Sequence, residues 1–161
     1  MIILISDANI IIDMEEGGLL EQLFQLPYQF VVPDLLYFDE LEMHHSNLLD
    51  KGLVLRELTS TSMLYAMNLI ERVRGPSRND CFALALAKQE LCPLLTGDRA
   101  LSKVARTEDV EVRGTLWAVE EMIIHQIITV EIARSAYLLM QENGRRLPWD
   151  IALAQLEKIE L

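Results

Sequence analysis

Four acidic residues, Asp7, Glu40, Asp80 and Asp98, stand where short apolar runs give way to helical patterns. Asp7 directly follows the run Ile2 to Ser6, and Asp98 lies two residues beyond Pro93 to Thr96. Asp80 stands at the start of the helical stretch Asn79 to Leu91, and Glu40 sits in a helix that begins near Asp34, just after the run Phe30 to Val32. Carboxylates gathered without basic partners repel one another, and a hard divalent cation with oxygen ligands is the usual relief. Mg²⁺ or Mn²⁺ held in that way polarises a phosphodiester and lowers the pKa of a bound water. Each acid also has a plainer use. An Asp in the first turn of a helix accepts from unpaired backbone N–H groups and complements the macrodipole, worth about 0.5 to 2 kcal/mol at a cap. Ser77 or Asn79 can take that role in place of Asp80. Glu40 has Asp34, Asp39 and Glu42 close by, and a charge run on a helix is commonly a solvated face.

Neighbouring side chains extend the set. Asn9 can orient a carboxylate or a water, or serve local helix structure. Thr96 can donate to a ligand carboxylate or simply end a strand. Arg78 and Arg99 flank two of the acids and can hold substrate phosphates; as surface arginines they need do neither. Adjacent His44 and His45 point about 100° apart on a helix and do not readily share an ion, so they read as surface or partner contacts.

These positions need a frame. Ile2 to Ser6, Phe30 to Val32, Leu53 to Leu58, Pro93 to Thr96 and Val110 to Val112 read as strands, the first buried on both faces and the third near an edge. Thr59 to Val73 and Asn79 to Leu91 carry apolar residues at helical spacing. The alternation predicts a three-layer α/β/α sandwich around a mostly parallel sheet, because parallel strands need crossovers and helices usually supply them. In such sheets function gathers at the carboxyl ends of the strands. From Trp117 on, the pattern is helix alone: Trp117 to Ile128, Val130 to Gln141 and Trp149 to Ile159, with Asn143-Gly144 as a stop. Trp117 and Trp149 read as core or interface rather than as a base-stacking platform.

The 161 residues suit one domain, and 51% apolar composition supplies its core. Cys81 and Cys92 stand alone, without disulfide or zinc spacing, which fits a reducing cytoplasm. No signal peptide and no apolar stretch of about 20 residues is present, so no membrane role is expected. The net charge of −11 argues against a broad basic face for coating nucleic acid. It is unevenly spread: residues 1–50 hold ten acidic side chains and no Lys or Arg, whereas residues 72–113 hold eight basic and six acidic ones.

The stretches "IILISDANIIID", "FVVPDLLYFDEL" and "SRNDCFALALAKQELCPLLTGDRALSKVA" resemble the motif blocks of the PIN-domain family. Their acidic positions fall on Asp7, Glu40, Asp80 and Asp98, with Thr96 at the small hydroxyl residue before the last Asp. "VEVRGTLWAVEEM" is similar to the close of family members that continue into added helices. The resemblance covers residues 1–118 as a nuclease domain and leaves 119–161 as a helical extension, packed on the same domain or on a partner. It implies an Mg²⁺- or Mn²⁺-dependent endoribonuclease acting on RNA; the expected division of labour, our own reading, puts Asp7 and Asp98 on the central metal and Asp80 and Glu40 on it or on a second ion. In many small prokaryotic members it also implies the toxin of a toxin–antitoxin pair, often a homodimer, inhibited by a small antitoxin protein. Two competitors remain: a PIN-like module without activity, and aspartate-based phosphotransfer of the haloacid dehalogenase type. The latter expects a DxD opening where this chain has Asp7-Ala8-Asn9.

Overall fold

The computed structural model describes residues 1–45 and 47–160. Five strands form one all-parallel sheet: β1 (Ile2–Ser6), β2 (Tyr28–Pro33), β3 (Val54–Arg56), β4 (Leu94–Leu95) and β5 (Val112–Arg113). Their spatial order is β3-β2-β1-β4-β5. From β1 the chain runs outward to β2 and β3, and it later returns to the other side of β1 as β4 and β5. The switch between those two directions lies between β1 and β4, where an open parallel sheet leaves a crevice at its carboxyl edge.

The helices are α1 (Ala8–Glu16), α2 (Leu20–Leu23), α3 (Asp34–Leu36), α4 (Leu48–Lys51), α5 (Ser60–Arg72), α6 (Arg78–Glu90), α7 (Arg99–Thr107), α8 (Thr115–Ile124), α9 (Val130–Glu142) and α10 (Trp149–Glu160). Between β1 and β2 the chain forms α1, the helix expected after Asp7, and the short α2. Helix α3 runs without a break into one π-helical turn, Tyr37–Leu41, in which the Glu42 N–H reaches back five residues to the Tyr37 carbonyl (2.9 Å). Helix α6 is buried across the unbroken stretch Cys81 to Ala87. An apolar helix of that kind belongs between two layers, and α6 lies between the sheet and α5.

Two element boundaries differ from the sequence reading for a local reason. The Val110 N–H closes α7 on the Ala105 carbonyl (2.9 Å) after Asp109 takes a positive φ of 62°, so pairing in β5 begins only at Val112. Helix α8 stops at Ile124 because Gln126 turns to φ 60° and the Ile127 N–H closes on the Met122 carbonyl (2.8 Å). Both stops trade one more helical turn for satisfied carbonyls at the helix end.

The C-terminal helices lie against the first helix. The Asn143 side chain donates to the Glu16 carbonyl (3.1 Å), and Met140 is fully buried with its side chain against Gly17. A methyl group on Gly17 would stand 2.6 Å from the Met140 Cε, so glycine is what admits the contact. Cys81 and Cys92 are free thiols. Among the described residues, no helix is long and apolar enough to cross a membrane.

Candidate active site at the carboxyl edge of the sheet

Parallel pairing of Ile5 with Leu94 and of Ser6 with Leu95 brings the next residues of the two strands, Asp7 and Thr96, level at the end of β1 and β4. The Asp7 N–H still donates to the Leu95 carbonyl (3.0 Å), and the Thr96 N–H to the Arg113 carbonyl (2.8 Å). Both side chains are therefore held by sheet rather than by loop. Asp7 then caps α1: Oδ1 accepts from the Ile10 N–H (3.0 Å), while Oδ2 accepts from the Thr96 hydroxyl. The Thr96 oxygen accepts in turn from the Asp98 N–H (3.0 Å), so one hydroxyl ties the second acid's backbone to the first acid's carboxylate.

Asp7 is only 1% exposed, and burial drives its pKa up from 3.8 to about 7 against the lowering pull of its two hydrogen bonds. The charges of Asp80 and Asp13 push in the same direction. Asp98 caps α7 through Oδ1, which accepts from the Leu101 N–H (2.8 Å). Asp80 sits three residues after the true cap of α6, Ser77, and the two close a reciprocal box: Asp80 N–H to Ser77 Oγ (3.1 Å) and Ser77 N–H to Asp80 Oδ2 (2.9 Å). Burial first, then the Asp98 charge, raises the Asp80 pKa against that capping.

Glu40 lies on the π turn after β2. Tyr37 and Leu41 are buried, and Asp39 and Glu40 both face the Asn79 amide, which donates to Asp39 Oδ2 (2.7 Å) and to Glu40 Oε2 (3.0 Å). Partial burial raises the Glu40 pKa, Asn79 lowers it, and Asp80 and Asp39 add repulsion. The four acids thus occupy one electrostatic neighbourhood, linked pairwise as Asp7 with Asp80, Asp80 with Asp98, and Glu40 with Asp80.

The donor set suits a hard cation in kind. All of its groups are oxygens, three of its four carboxyls are pushed toward protonation, and one oxygen each of Asp80 and Asp98 accepts no hydrogen bond from a described residue. It is not drawn tight: among the described residues, no three His, Cys, Asp or Glu side chains converge closely enough to hold one ion.

The remaining candidates separate. Asn9 accepts from the Arg145 guanidinium (3.1 Å) through Oδ1. Arg99 is exposed at the start of α7, and Arg78 is exposed with its guanidinium 5.5 Å from the centre of the Phe82 ring. His44 is exposed, and His45 turns away to pair with Glu15 (2.5 Å). The guanidinium of Arg113, four residues before Trp117, lies 4.6 Å over the Trp117 ring.

Three residues escaped the sequence reading. Asp13 is 5% exposed, and its carboxylate accepts from Thr115 Oγ1 (2.7 Å) and from Arg145 Nε (2.6 Å). The available signal was an acid inside the apolar run Ile10 to Met14, where burial demands a partner. Nothing local marked the partners, which stand 102 and 132 residues away.

Among curated proteins, none is significantly similar to this chain. A solved PilT N-terminus domain protein from the hyperthermophilic archaeon Sulfolobus solfataricus is similar at 13% identity and a TM-score of 0.47, over 76% of this chain and 94% of that one. The model of the family DUF3368, described as a PIN domain, matches residues 3–160. With that match over nearly its whole length, the chain belongs to the PIN-domain family, a nuclease superfamily whose members generally use divalent metal ions.

Proposed function

We propose that this protein is an Mg²⁺- or Mn²⁺-dependent endoribonuclease, with Asp7, Glu40, Asp80 and Asp98 as its metal-binding and catalytic acids. The observation that carries the reading is Asp7, a buried carboxylate at the sheet's switch point in the field of a second acid, Asp80. Asp7 and Asp98 would hold the central ion, and Asp80 and Glu40 that ion or a second one. When bound, the metal supplies charge neutralisation at the phosphodiester and a water acidic enough to attack it. The chain's own residues prepare that site. Thr96 fixes the Asp7 carboxylate, the α1 and α7 caps fix Asp7 and Asp98, and Asn79 holds Glu40 beside Asp39. In this reading Arg78 and Arg99 would contact substrate phosphates, and Asn9 would serve as an orienting amide.

RNA as the substrate, and a role as the toxin half of a toxin–antitoxin pair held in check by a small antitoxin, follow the family's many small prokaryotic members. Exposed apolar side chains on the last helices, Ile132, Leu138 and Ile151 among them, offer such a partner or a second copy of this chain a surface. We read residues 119–161 as an extension of a nuclease domain spanning residues 1–118, in a cytoplasmic protein.

Incubation of purified protein with single-stranded and structured RNAs in Mg²⁺ or Mn²⁺ tests the reading directly. Cleavage is expected to vanish with EDTA and to fall at least about 100-fold in Asp7→Asn and Asp98→Asn, because even the groups behind a metal ligand are commonly worth about 10- to 100-fold. Cleavage that survives either substitution refutes the four-acid assignment. No cleavage of any RNA together with no metal binding by calorimetry would establish a PIN-like binding module instead.

A further inference from the structure

Two depressions meet at a ridge made by Gly97, Arg146 and Leu147. One contains Asp98 and Asn9. The other, about 540 Å³, is lined by Arg99, Leu116, Trp117 and Pro148 in addition to the ridge residues. The second therefore adjoins the depression that holds Asp98, and Arg146, Leu147 and Pro148, which line it, come from the turn between α9 and α10.

The depression holds two of the five arginines for which no ion pair forms among the described residues. Of the arginines in this acidic chain, Arg56, Arg72, Arg113, Arg134 and Arg145 are each held by a carboxylate. Arg99 and Arg146 are exposed, and among the described residues neither has an acidic side chain within ion-pair distance. Two guanidinium forks without competing carboxylates, lining one depression, suit a phosphate group. The rest of the wall is apolar: Leu116, Leu147, Pro148 and the open part of Trp117, whose ring is braced by Arg113 and by Tyr28 at 5.6 Å between centroids. A rigid apolar wall beside a cationic pair is the combination that takes an unstacked base and its phosphate without reading sequence. The volume falls within the range of small-ligand sites.

We infer that this depression is a nucleotide subsite for single-stranded RNA beside the acidic centre, Arg99 and Arg146 holding a phosphate and the Leu116–Trp117–Leu147–Pro148 wall receiving the base. The inference rests on the nuclease reading and deepens it, since it assigns substrate binding to Arg146, a residue of the C-terminal segment, and makes that segment part of the site.

The test is fluorescence anisotropy of a fluorescein-labelled oligouridylate eight nucleotides long, with Ca²⁺ in place of the catalytic metal, titrated with the full chain. Arg99→Ala and Arg146→Ala are each expected to weaken binding about 10-fold and to lower the slope of log K against log salt by about one. Arg134→Ala, which removes a guanidinium paired with Glu160, should bind as wild type does. A blunt RNA duplex should bind more weakly than the single strand. In Trp149→Phe, the remaining Trp117 should be quenched on saturation. Wild-type affinity in both Arg99→Ala and Arg146→Ala, equal loss in Arg134→Ala, a duplex bound as tightly as the single strand, an unquenched Trp117 or no binding by wild type each overturns the subsite. Failure of the nuclease reading looks different: no cleavage in Mg²⁺ or Mn²⁺, with the arginine-dependent binding intact.

Discussion

Asp7 is both the most legible residue of the site and the most costly. An acid placed directly behind a five-residue apolar strand must stand at the sheet's edge, and the register of β1 with β4 then dictates that Thr96 faces it. Asp98 was legible for the same reason. Glu40 was not, because the π turn that carries it breaks the 3.6-residue period by which Asp39, Glu40 and Glu42 would be sorted. The raised pKa of Asp7 makes a stability prediction whose sign is fixed. Its folded value of about 7 lies above the ordinary 3.8, so stability is full below about pH 4 and declines as the pH rises through 7. Without metal, wild type should lose on the order of a few kcal/mol relative to Asp7→Asn between pH 4 and pH 8, read by urea denaturation in EDTA. Parallel pH profiles for the two proteins would show that the buried carboxylate carries no such cost. Thr96→Val removes the hydroxyl that fixes Asp7 and should lower RNA cleavage about 10- to 100-fold, as loss of a group behind a metal ligand commonly does. Unchanged cleavage in that variant would reduce Thr96 to a strand end.

Elements position these residues through contacts that no local pattern announces. The strands, the long helices α5 and α6 and the three C-terminal helices follow from period and punctuation, so the sequence predicts them to within a few residues, whereas the order of the strands in the sheet does not. How the last helices return to the first is another matter. Asp13 of α1, Thr115 at the start of α8 and Arg145 after α9 meet in a largely buried triad, and Arg145 also holds Asn9, two residues past Asp7. Leaving a buried carboxylate without its cation costs more than the pair itself contributes. Because Arg145 is a quarter exposed at 24%, screening reduces the loss, and Arg145→Met should destabilise by about 2 kcal/mol in chemical denaturation. The double variant Asp13→Asn, Arg145→Met should recover part of it, since no charge then remains stranded. If both single variants and the double variant lose the same amount, the two side chains act independently and the triad is not a clamp.

The whole molecule is set by its imbalance of 25 acidic against 14 basic side chains, a net charge of −11. Self-repulsion of that size weakens the compact state and is concentrated where Asp7, Glu40, Asp80 and Asp98 share one edge of the sheet. A divalent ion bound there favours the folded chain by mass action, about 2.7 kcal/mol at 100 times its Kd. For a chain of this length that corresponds to a rise in Tm of roughly 5 to 10 °C. General screening by monovalent salt acts on all the charges alike and gives no such site-specific gain. Thermal denaturation of the metal-free protein should therefore move upward with Mn²⁺ or Mg²⁺ well beyond K⁺ at matched ionic strength. Asp98→Asn should remove most of that difference while leaving the K⁺ response unchanged. An equal shift with K⁺, or an undiminished Mn²⁺ shift in Asp98→Asn, would mean that the acids act as a diffuse field and that no ion is bound among them.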